Sequence, residues 1–236
     1  MTVTLSGLKG GHSGCDIHLQ RANANKLLFR FLKEAVANYE ARLASVEGGS
    51  LRNAIPREAS AIITVPAEGV EDIMDLVAEC EDLFIAEYDG VEDNIHLTAE
   101  EVSCPTTELP EDVQDFLIHA ITACPHGVYR VIPEMPDVVE TSNNLAMLTT
   151  TDDCVTVMCL TRSSVESRKE ELQEIIHSVF AMAGAEVEFS GSYPGWKPNL
   201  KSCADSWRPR KPKLPPQQKT GPQTKRPTLR KGELPP

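Results

Sequence analysis

The sequence predicts an α+β domain in which one antiparallel sheet carries its helices on one face. Three observations predict it. Strand and helix patterns follow one another as βαββαβ over roughly the first hundred residues, a related pattern starts again near residue 110, and no apolar stretch is long enough to span a bilayer. The βαββαβ order is typical of a ferredoxin-like unit, and we expect the second, partial repeat to extend the same sheet.

The first half contains the ferredoxin-like pattern. Apolar and polar residues alternate in its outer strands, and its middle strand is a β-branched run between Pro56 and Pro66. The first helix repeats apolar residues at helical spacing from Leu27 to Val36, and segment 45–51 leads from it into the β-branched run. The predicted strands with assigned ranges are 2–8, 61–65 and 94–102, and the predicted helices are 21–43 and 69–88. The second strand of the βαββαβ order has no range of its own.

The second half repeats the pattern in part. Its first helix follows a proline, which is a helix start signal, and its second helix ends at Gly184. The predicted helices are 110–124 and 167–184, and the predicted strands are 138–150, 154–163 and 185–193.

The charge distribution divides the chain into two kinds of polypeptide. Residues 1–200 carry 13 basic and 33 acidic side chains, whereas residues 201–236 carry 10 basic and 2 acidic side chains together with eight prolines. The second segment has too little apolar surface to offset the entropy of ordering. We therefore expect a folded domain over 1–199 and a disordered, basic, Pro-rich tail over 200–236. A shifted reading frame would also produce so abrupt a change.

The composition also limits the cellular compartment and the classes of binding partner that we expect. The N-terminus has no signal-peptide organisation, which predicts a cytoplasmic protein with no membrane partner. Seven cysteines occur without a CxxC pair, so reduced thiols are expected. The tail is basic, but Trp207 is its only aromatic residue and no folded nucleic-acid-binding module accompanies it. Nucleic acid is therefore not expected as a partner.

The stretch GGHSGCDIH (10–18) is the first candidate site. His12, Cys15 and His18 recur at a spacing of three, which suits a metal site if the segment is helical, but the surrounding glycines disfavour a helix. A structural histidine is the simplest alternative. Glycines that bring the backbone close to a ligand and present one imidazole would instead make His12 a catalytic residue.

Two further stretches contain polar side chains that could bind a ligand. In EGGSLRNAIPRE (47–58), Asn53 stands with Arg52 between a glycine pair and a proline, in a segment that could equally be a solvated hairpin connection. In CLTRSS (159–164), Arg162 ends a strand, where a guanidinium can hold a carboxylate or remain an ordinary surface ion. The sequence has no nucleophile elbow, phosphate loop or dinucleotide fingerprint.

Several of these motifs together resemble one family, the aminoacyl-histidine (Xaa-His) dipeptidases, which are PepD-like dinuclear zinc metallopeptidases. The resemblance spans residues 1–199 and implies the lid, or dimerisation, domain of these enzymes, with a homodimer as a possible assembly. The matching motifs, in order, are LSGLKGGHSG, NANKLLFRFL, GGSLRNAIPRE, VVETSNNLAMLTT, CLTRSS and SYPGWKP.

The resemblance also implies roles for three residues. His12 matches the lid histidine that stabilises the oxyanion formed during peptide hydrolysis. Asn53 would contribute to substrate or oxyanion contacts, and Arg162 would hold the C-terminal carboxylate of a dipeptide that ends in histidine, such as carnosine. The family's two zinc ions are bound by a catalytic domain whose ligand motifs are not found here, so the resemblance implies that this chain binds no metal and is inactive alone.

A non-enzymatic function is the alternative. A ferredoxin-like body with a basic, Pro-rich tail could recruit an acidic or proline-recognising partner, and KPKLPPQ is a segment of that kind.

Overall fold

One antiparallel sheet organises residues 1–191, the part of the chain that the structure, a computed structural model, describes. Its seven strands are β1 Thr2–Ser6, β3 Arg42–Gly48, β5 Ala59–Thr64, β6 His96–Glu100, β7 Gly127–Ile132, β8 Met135–Thr150 and β9 Val155–Ser163. A separate ribbon is formed by β2 Gly11–His12 and β4 Ala54–Ile55. The helices are α1 Ala24–Asn38, α2 Val70–Glu87, α3 Glu111–Ala123 and α4 Glu166–Met182.

The first half forms the predicted ferredoxin-like unit. Its strands lie side by side in the order β6, β1, β5, β3, which places the fourth, first, third and second strands of a βαββαβ unit in sequence across the sheet. The second strand of that unit is β3. It overlaps the segment 45–51, which the sequence pattern indicates is the connection after the first helix. Every strand pair is antiparallel, so the predicted fold class is confirmed.

The second half extends the same sheet, as predicted. The long strand β8 pairs with β3 at Leu148 and Thr149, with β7 from Met135 to Asn143, and with β9 from Thr141 to Thr150. Residues 141–143 of β8 pair with both β7 and β9, and residues 148–149 pair with both β3 and β9. Strands β3 and β7 therefore share one edge of β8, and β9 occupies the other edge.

The helices form one layer over one face of the sheet. Helix α1 packs against β1, β3 and β5 and also against α2 and α3, while α3 contacts α4. Asn23 caps α1, because its side chain accepts a hydrogen bond from the N–H of Lys26. The apolar face of α1 includes Phe29 and Phe31, which are among the most deeply buried side chains of the core. Within residues 1–191 no helix is long and apolar enough to cross a bilayer.

Three sequence-based element predictions need correction. Helix α1 ends at Asn38, and Arg42 and Leu43 of the predicted helix 21–43 belong to β3. Strand β7 was not predicted, and residues 185–191 of the predicted strand 185–193 form no strand. Gly184 has φ +75°, and the N–H of Ala185 bonds back to the carbonyl of Phe180, so the chain closes the end of α4 and pairs with no strand there. The predicted tail over 200–236 and the motif SYPGWKP lie outside the described residues.

Candidate functional site

The short ribbon of β2 and β4 brings two of the three candidate stretches together. His12 lies opposite Ala54 and Gly11 opposite Ile55, and the N–H of Ser13 donates to the carbonyl of Asn53 at 2.8 Å. Gly11 has φ +147°, and a Cβ there would lie 2.8 Å from the Cβ of Asp16. The ribbon therefore requires glycine at this position.

The backbone around His12 fixes the orientation of its imidazole. Nδ1 accepts hydrogen bonds from the N–H groups of Gly14 and Cys15, both at 3.1 Å. Asp16 closes the turn, because its Oδ2 accepts from the N–H of His12 at 2.7 Å while its own N–H donates to the His12 carbonyl at 2.8 Å. An Nδ1 that accepts two bonds carries no hydrogen, so the neutral ring carries its hydrogen on Nε2. The side chain is exposed and presents a donor outward.

Arg162 approaches the same point from the sheet. It lies near the end of β9, opposite Ser142 of β8. A Cβ added to Gly14 would lie 3.2 Å from Cε1 of His12 and 3.5 Å from Cζ of Arg162. Both functional groups thus border one glycine, and a larger residue would press on the imidazole. The structure brings together a histidine and an arginine that are 150 positions apart in the chain.

Asn53 lies beside them with its side chain exposed, and its backbone is held from the sheet. Asn144 of β8 donates two hydrogen bonds from Nδ2, to the carbonyl of Arg52 at 3.1 Å and to that of Ala54 at 2.7 Å. Because these residues flank Asn53, the amide of Asn144 fixes the segment on both sides of it. Asn144 is 1% exposed, and a buried amide that makes two hydrogen bonds constrains the segment strongly.

A buried carboxylate anchors the loop that carries His12. Oε2 of Glu92 accepts from the N–H of Lys9 at 2.8 Å, and Oε1 accepts from the N–H of Ala22 at 3.0 Å. These two residues are the ends of the segment that we call the site loop, residues 9–22. Arg21 adds a bond within the loop from Nη1 to the carbonyl of Gly10 at 2.6 Å. Glu92 is 7% exposed, so the loop is tied at both ends to one buried group.

Two buried polar atoms beside Asn53 have no hydrogen-bond partner in the described part of the chain. They are Oγ of Ser13 and Oδ1 of Asn144. A buried polar atom without a partner is costly, and such atoms concentrate at sites that bind something. Both atoms lack a hydrogen-bond partner within residues 1–191, close to the segment that carries Asn53.

The spacing of His12, Cys15 and His18 does not produce a metal site. Cys15 contributes its backbone N–H to the His12 ring, and His18 lies on a separate turn, Ile17–Leu19, with an exposed side chain. Residues 1–191 contain no group of three or more histidine, cysteine, aspartate or glutamate side chains that could hold a metal ion. The described residues therefore do not fit the two zinc ions that the family resemblance implies.

The site is an open surface. The described residues show a groove of about 590 Å³ beside the ribbon, lined by Gly11, Leu51 and Ala54 among others, but not by His12, Asn53 or Arg162. An exposed donor, an amide and a guanidinium that share one surface are suited to a ligand held partly by another surface.

Sequence reasoning did not single out Asn144 or Glu92. A signal for Asn144 was present, because two consecutive asparagines directly precede the apolar run 145–148 of the predicted strand, and polar residues in a core position indicate a hydrogen-bonded role. Glu92 gave no local signal, since its partners Lys9 and Ala22 are 83 and 70 residues away.

Comparisons with known proteins give matches to a peptidase domain and to two dipeptidases. Residues 3–92 match the model of the peptidase dimerisation domain. The chain is 41% identical to the cytosol non-specific dipeptidase of Escherichia coli (strain K12) over 200 residues, which are 85% of this chain and 41% of that protein. The crystal structure of aminoacylhistidine dipeptidase from Vibrio alginolyticus superposes with a TM-score of 0.82 at 45% identity, covering 84% of this chain and 40% of that one. The chain thus spans about two fifths of the length of these relatives. These matches do not favour the non-enzymatic alternative.

Proposed function

We propose that the site loop of this chain, whose residues 3–92 match the peptidase dimerisation domain, completes the active site of a metallo-dipeptidase of the aminoacyl-histidine type. The substrates would be dipeptides with a C-terminal histidine, carnosine-like ones included. The two zinc ions that activate the nucleophile would be bound by residues outside 1–191. The orientation of the His12 ring is the observation that carries the proposal.

His12 would stabilise the charge that develops on the scissile carbonyl oxygen. The two backbone N–H groups at Nδ1 hold the ring and keep its hydrogen on Nε2, so the donor is oriented before the reaction begins. Preorganised donors of this kind stabilise a transition state strongly, and removal of one lowers kcat by about 10²–10³.

Arg162 and Asn53 would orient the substrate. A guanidinium forms two parallel hydrogen bonds to a carboxylate, so Arg162 can hold the free C-terminus of a dipeptide close to His12. Asn53 offers an amide donor and acceptor next to the buried atoms Ser13 Oγ and Asn144 Oδ1. A site that holds a free C-terminus beside the oxyanion donor favours dipeptides over longer peptides.

The test is a chimera in which residues 1–191 replace the corresponding segment of the E. coli dipeptidase. We expect it to hydrolyse Xaa-His dipeptides in the presence of zinc, and we expect His12→Ala to lower kcat by about 10²–10³. The matched control is His18→Ala, which removes an exposed histidine of the same loop and should leave kcat unchanged. Equal activity of the two variants would remove the catalytic role of His12.

Arg162 has its own test in the same chimera. Arg162→Lys should raise KM for a dipeptide by about tenfold, which corresponds to the loss of one of two hydrogen bonds, or about 1.4 kcal/mol. The same substitution should have little effect on a dipeptide amide, because that substrate has no carboxylate. A similar rise in KM for both substrates would show that Arg162 supports the fold and does not bind the C-terminal carboxylate of the substrate. A panel with other C-terminal residues would establish whether histidine is preferred.

The purified chain should be assayed in parallel with its metal content. We expect no hydrolysis and no bound zinc, since residues 1–191 lack a cluster of metal-ligating side chains. Stoichiometric zinc with turnover would contradict the proposal that the zinc ligands lie elsewhere in the enzyme.

We also propose that the domain forms a homodimer in the same compartment as the E. coli relative, the cytosol. Residues 3–92 match a dimerisation domain, and β6 and β9 each pair with a single strand, so each has an edge available for pairing. Sedimentation over a range of protein concentrations measures the assembly directly. A monomer at every concentration would contradict the dimer.

A further inference from the structure

Two cysteine side chains meet where α3 ends and β9 passes. The sulfur atoms of Cys124 and Cys159 are 3.8 Å apart, which is van der Waals contact. Cys124 follows the last residue of α3, and Cys159 lies opposite Leu145 in the β8–β9 ladder. Residues 1–191 contain six free cysteines, and Cys124 and Cys159 are the two whose sulfur atoms are in contact. No side chain lies between these two atoms.

We propose that Cys124 and Cys159 form a reversible disulfide by exchange with a low-molecular-weight disulfide such as glutathione disulfide. The bond would join the end of α3 to β9, the strand that carries Arg162. This inference concerns the domain itself and does not depend on the proposed dipeptidase activity.

A metal site is the other chemistry open to two neighbouring thiols. A structural zinc ion needs four ligands from cysteine, histidine or carboxylate side chains. His126 is close in sequence, but its Nδ1 accepts a hydrogen bond from the N–H of Leu145, and residues 1–191 contain no cluster of three ligands. The arrangement of the described side chains therefore favours a disulfide over a bound divalent metal.

The surroundings make the two thiols unequal, which decides the order in which they react in an exchange. The hydrogen bond from Cys124 lowers the pKa of the Cys159 thiol, and further contributions come from a hydrogen bond with Asn143 and from the nearby Lys26 ammonium. The same sulfur–sulfur hydrogen bond, together with burial, raises the pKa of the Cys124 thiol. Because the thiolate is the nucleophile, Cys159 is the attacking group.

Exposure agrees with this order. Cys159 is partly exposed on β9, which pairs only with β8 in the sheet, whereas Cys124 is 1% exposed. A small disulfide therefore approaches the pair from the side of β9, and the resulting mixed disulfide lies against Cys124.

The exchange proceeds in two balanced steps. The Cys159 thiolate attacks one sulfur of glutathione disulfide, so a protein–glutathione bond forms and one glutathione leaves as its thiolate, which takes up the proton that Cys159 lost. Cys124 then gives up its proton and attacks the Cys159 sulfur, and the second glutathione departs with that proton. The two protein thiols are oxidised, and one glutathione disulfide is reduced to two glutathione molecules.

The experiment equilibrates the purified full chain with buffers of increasing glutathione disulfide to glutathione ratio. The remaining thiols are alkylated, and the peptides are mapped by mass spectrometry. We expect Cys124 and Cys159 to lose alkylation together, a cross-linked pair of peptides that contain these two residues, and full reversal by excess glutathione. The exposed residues Cys15, Cys104 and Cys154 should carry glutathione and no cross-link.

Three variants sharpen the result. Cys124→Ser should leave Cys159 as a stable mixed disulfide with glutathione, and Cys159→Ser should leave Cys124 unmodified because it is buried. Cys154→Ser is the matched control on the same hairpin and should not alter the cross-link. The peptide map of the wild-type chain tests the proposal even if one of the variants fails to fold. Alkylation of both Cys124 and Cys159 at ratios that modify the exposed cysteines would overturn the proposal, as would a cross-link that forms only in denaturant.

Discussion

The core of the domain and the site loop are held by different interactions. The core beneath the first half is apolar, and Phe31, Leu32 and Leu43 are fully buried there between α1 and the sheet. The site loop buries few apolar side chains and is held by backbone hydrogen bonds to Glu92 and Asp16. Burial therefore stabilises the fold, while a few polar side chains set the geometry of the site, and substitutions should separate the two.

The largest effect is expected in the core. Phe31→Ala should lower the free energy of unfolding by about 3–5 kcal/mol, because it removes a buried ring and leaves a cavity. Phe116→Ala is the matched control, since this ring on α3 is 50% exposed and its removal should cost much less. Urea unfolding of the two variants measures the difference. Equal losses would show that the buried ring of α1 is not a principal source of stability.

The next effect should come from His126, a titratable group that contacts the side chain of Asn23 and the N–H of Leu145. Burial, and then the charge of Lys26, lowers the pKa of His126 to about 4. The unfolded chain titrates near 6.5, so it binds more protons than the folded chain between these values, and stability should fall as the pH falls from about 6.5 to about 4. The loss can reach about 3 kcal/mol, at 1.4 kcal/mol per pKa unit.

The measurement compares urea unfolding at several pH values for the wild type and two variants. His126→Gln should remove this part of the pH dependence, while His119→Gln, an exposed histidine of α3, should keep it. The carboxylates titrate equally in all three proteins, so the difference between variants isolates His126. A parallel pH dependence for all three would mean that His126 titrates normally.

Glu92 tests whether the site loop has a separate anchor. Glu92→Ala leaves the N–H groups of Lys9 and Ala22 without their acceptor and should lower the free energy of unfolding by about 2 kcal/mol. Hydrogen exchange should accelerate at these two amides more than at the amides of β1 and β5. Asp93→Ala removes a neighbouring exposed carboxylate and should cost less than about 1 kcal/mol. Uniform acceleration over the whole domain would show that loop and core unfold as one unit.

The same contrast explains what could be predicted from the sequence. Helix α1 was predicted because its apolar residues repeat at one helical spacing over fifteen residues. Strand β3 was harder to recognise, since a bulge between Leu43 and Ser45 places Leu43 and Val46 on the same buried side at a spacing of three. Strand β7 is mostly exposed and has three register shifts, so it has no alternating pattern to detect.

The site was predictable only in part. His12, Asn53 and Arg162 were named from motifs of a known family, and no local pattern shows that they approach one another. The ribbon pairs His12 with Ala54 across 42 residues, and the approach of Arg162 to Gly14 joins positions that are 148 residues apart. The equal spacing of His12, Cys15 and His18 suggested a shared ligand, whereas the contribution of Cys15 is its backbone N–H. Roles carried by backbone groups leave no signal in side-chain spacing.

Asp16 gives the smallest expected effect on stability and the sharpest test of the comparison. Its carboxylate is partly exposed and accepts one backbone bond, so Asp16→Ala should change the free energy of unfolding by less than about 1 kcal/mol. That bond fixes the turn that orients the His12 ring, so kcat of the dipeptidase chimera should fall by about tenfold, which is 1.4 kcal/mol of transition-state stabilisation. Asp152→Ala, in an exposed turn between β8 and β9, should change neither quantity. A large loss of stability with unchanged kcat would reverse the assignment, because Asp16 would then support the fold and the site loop would orient His12 without it.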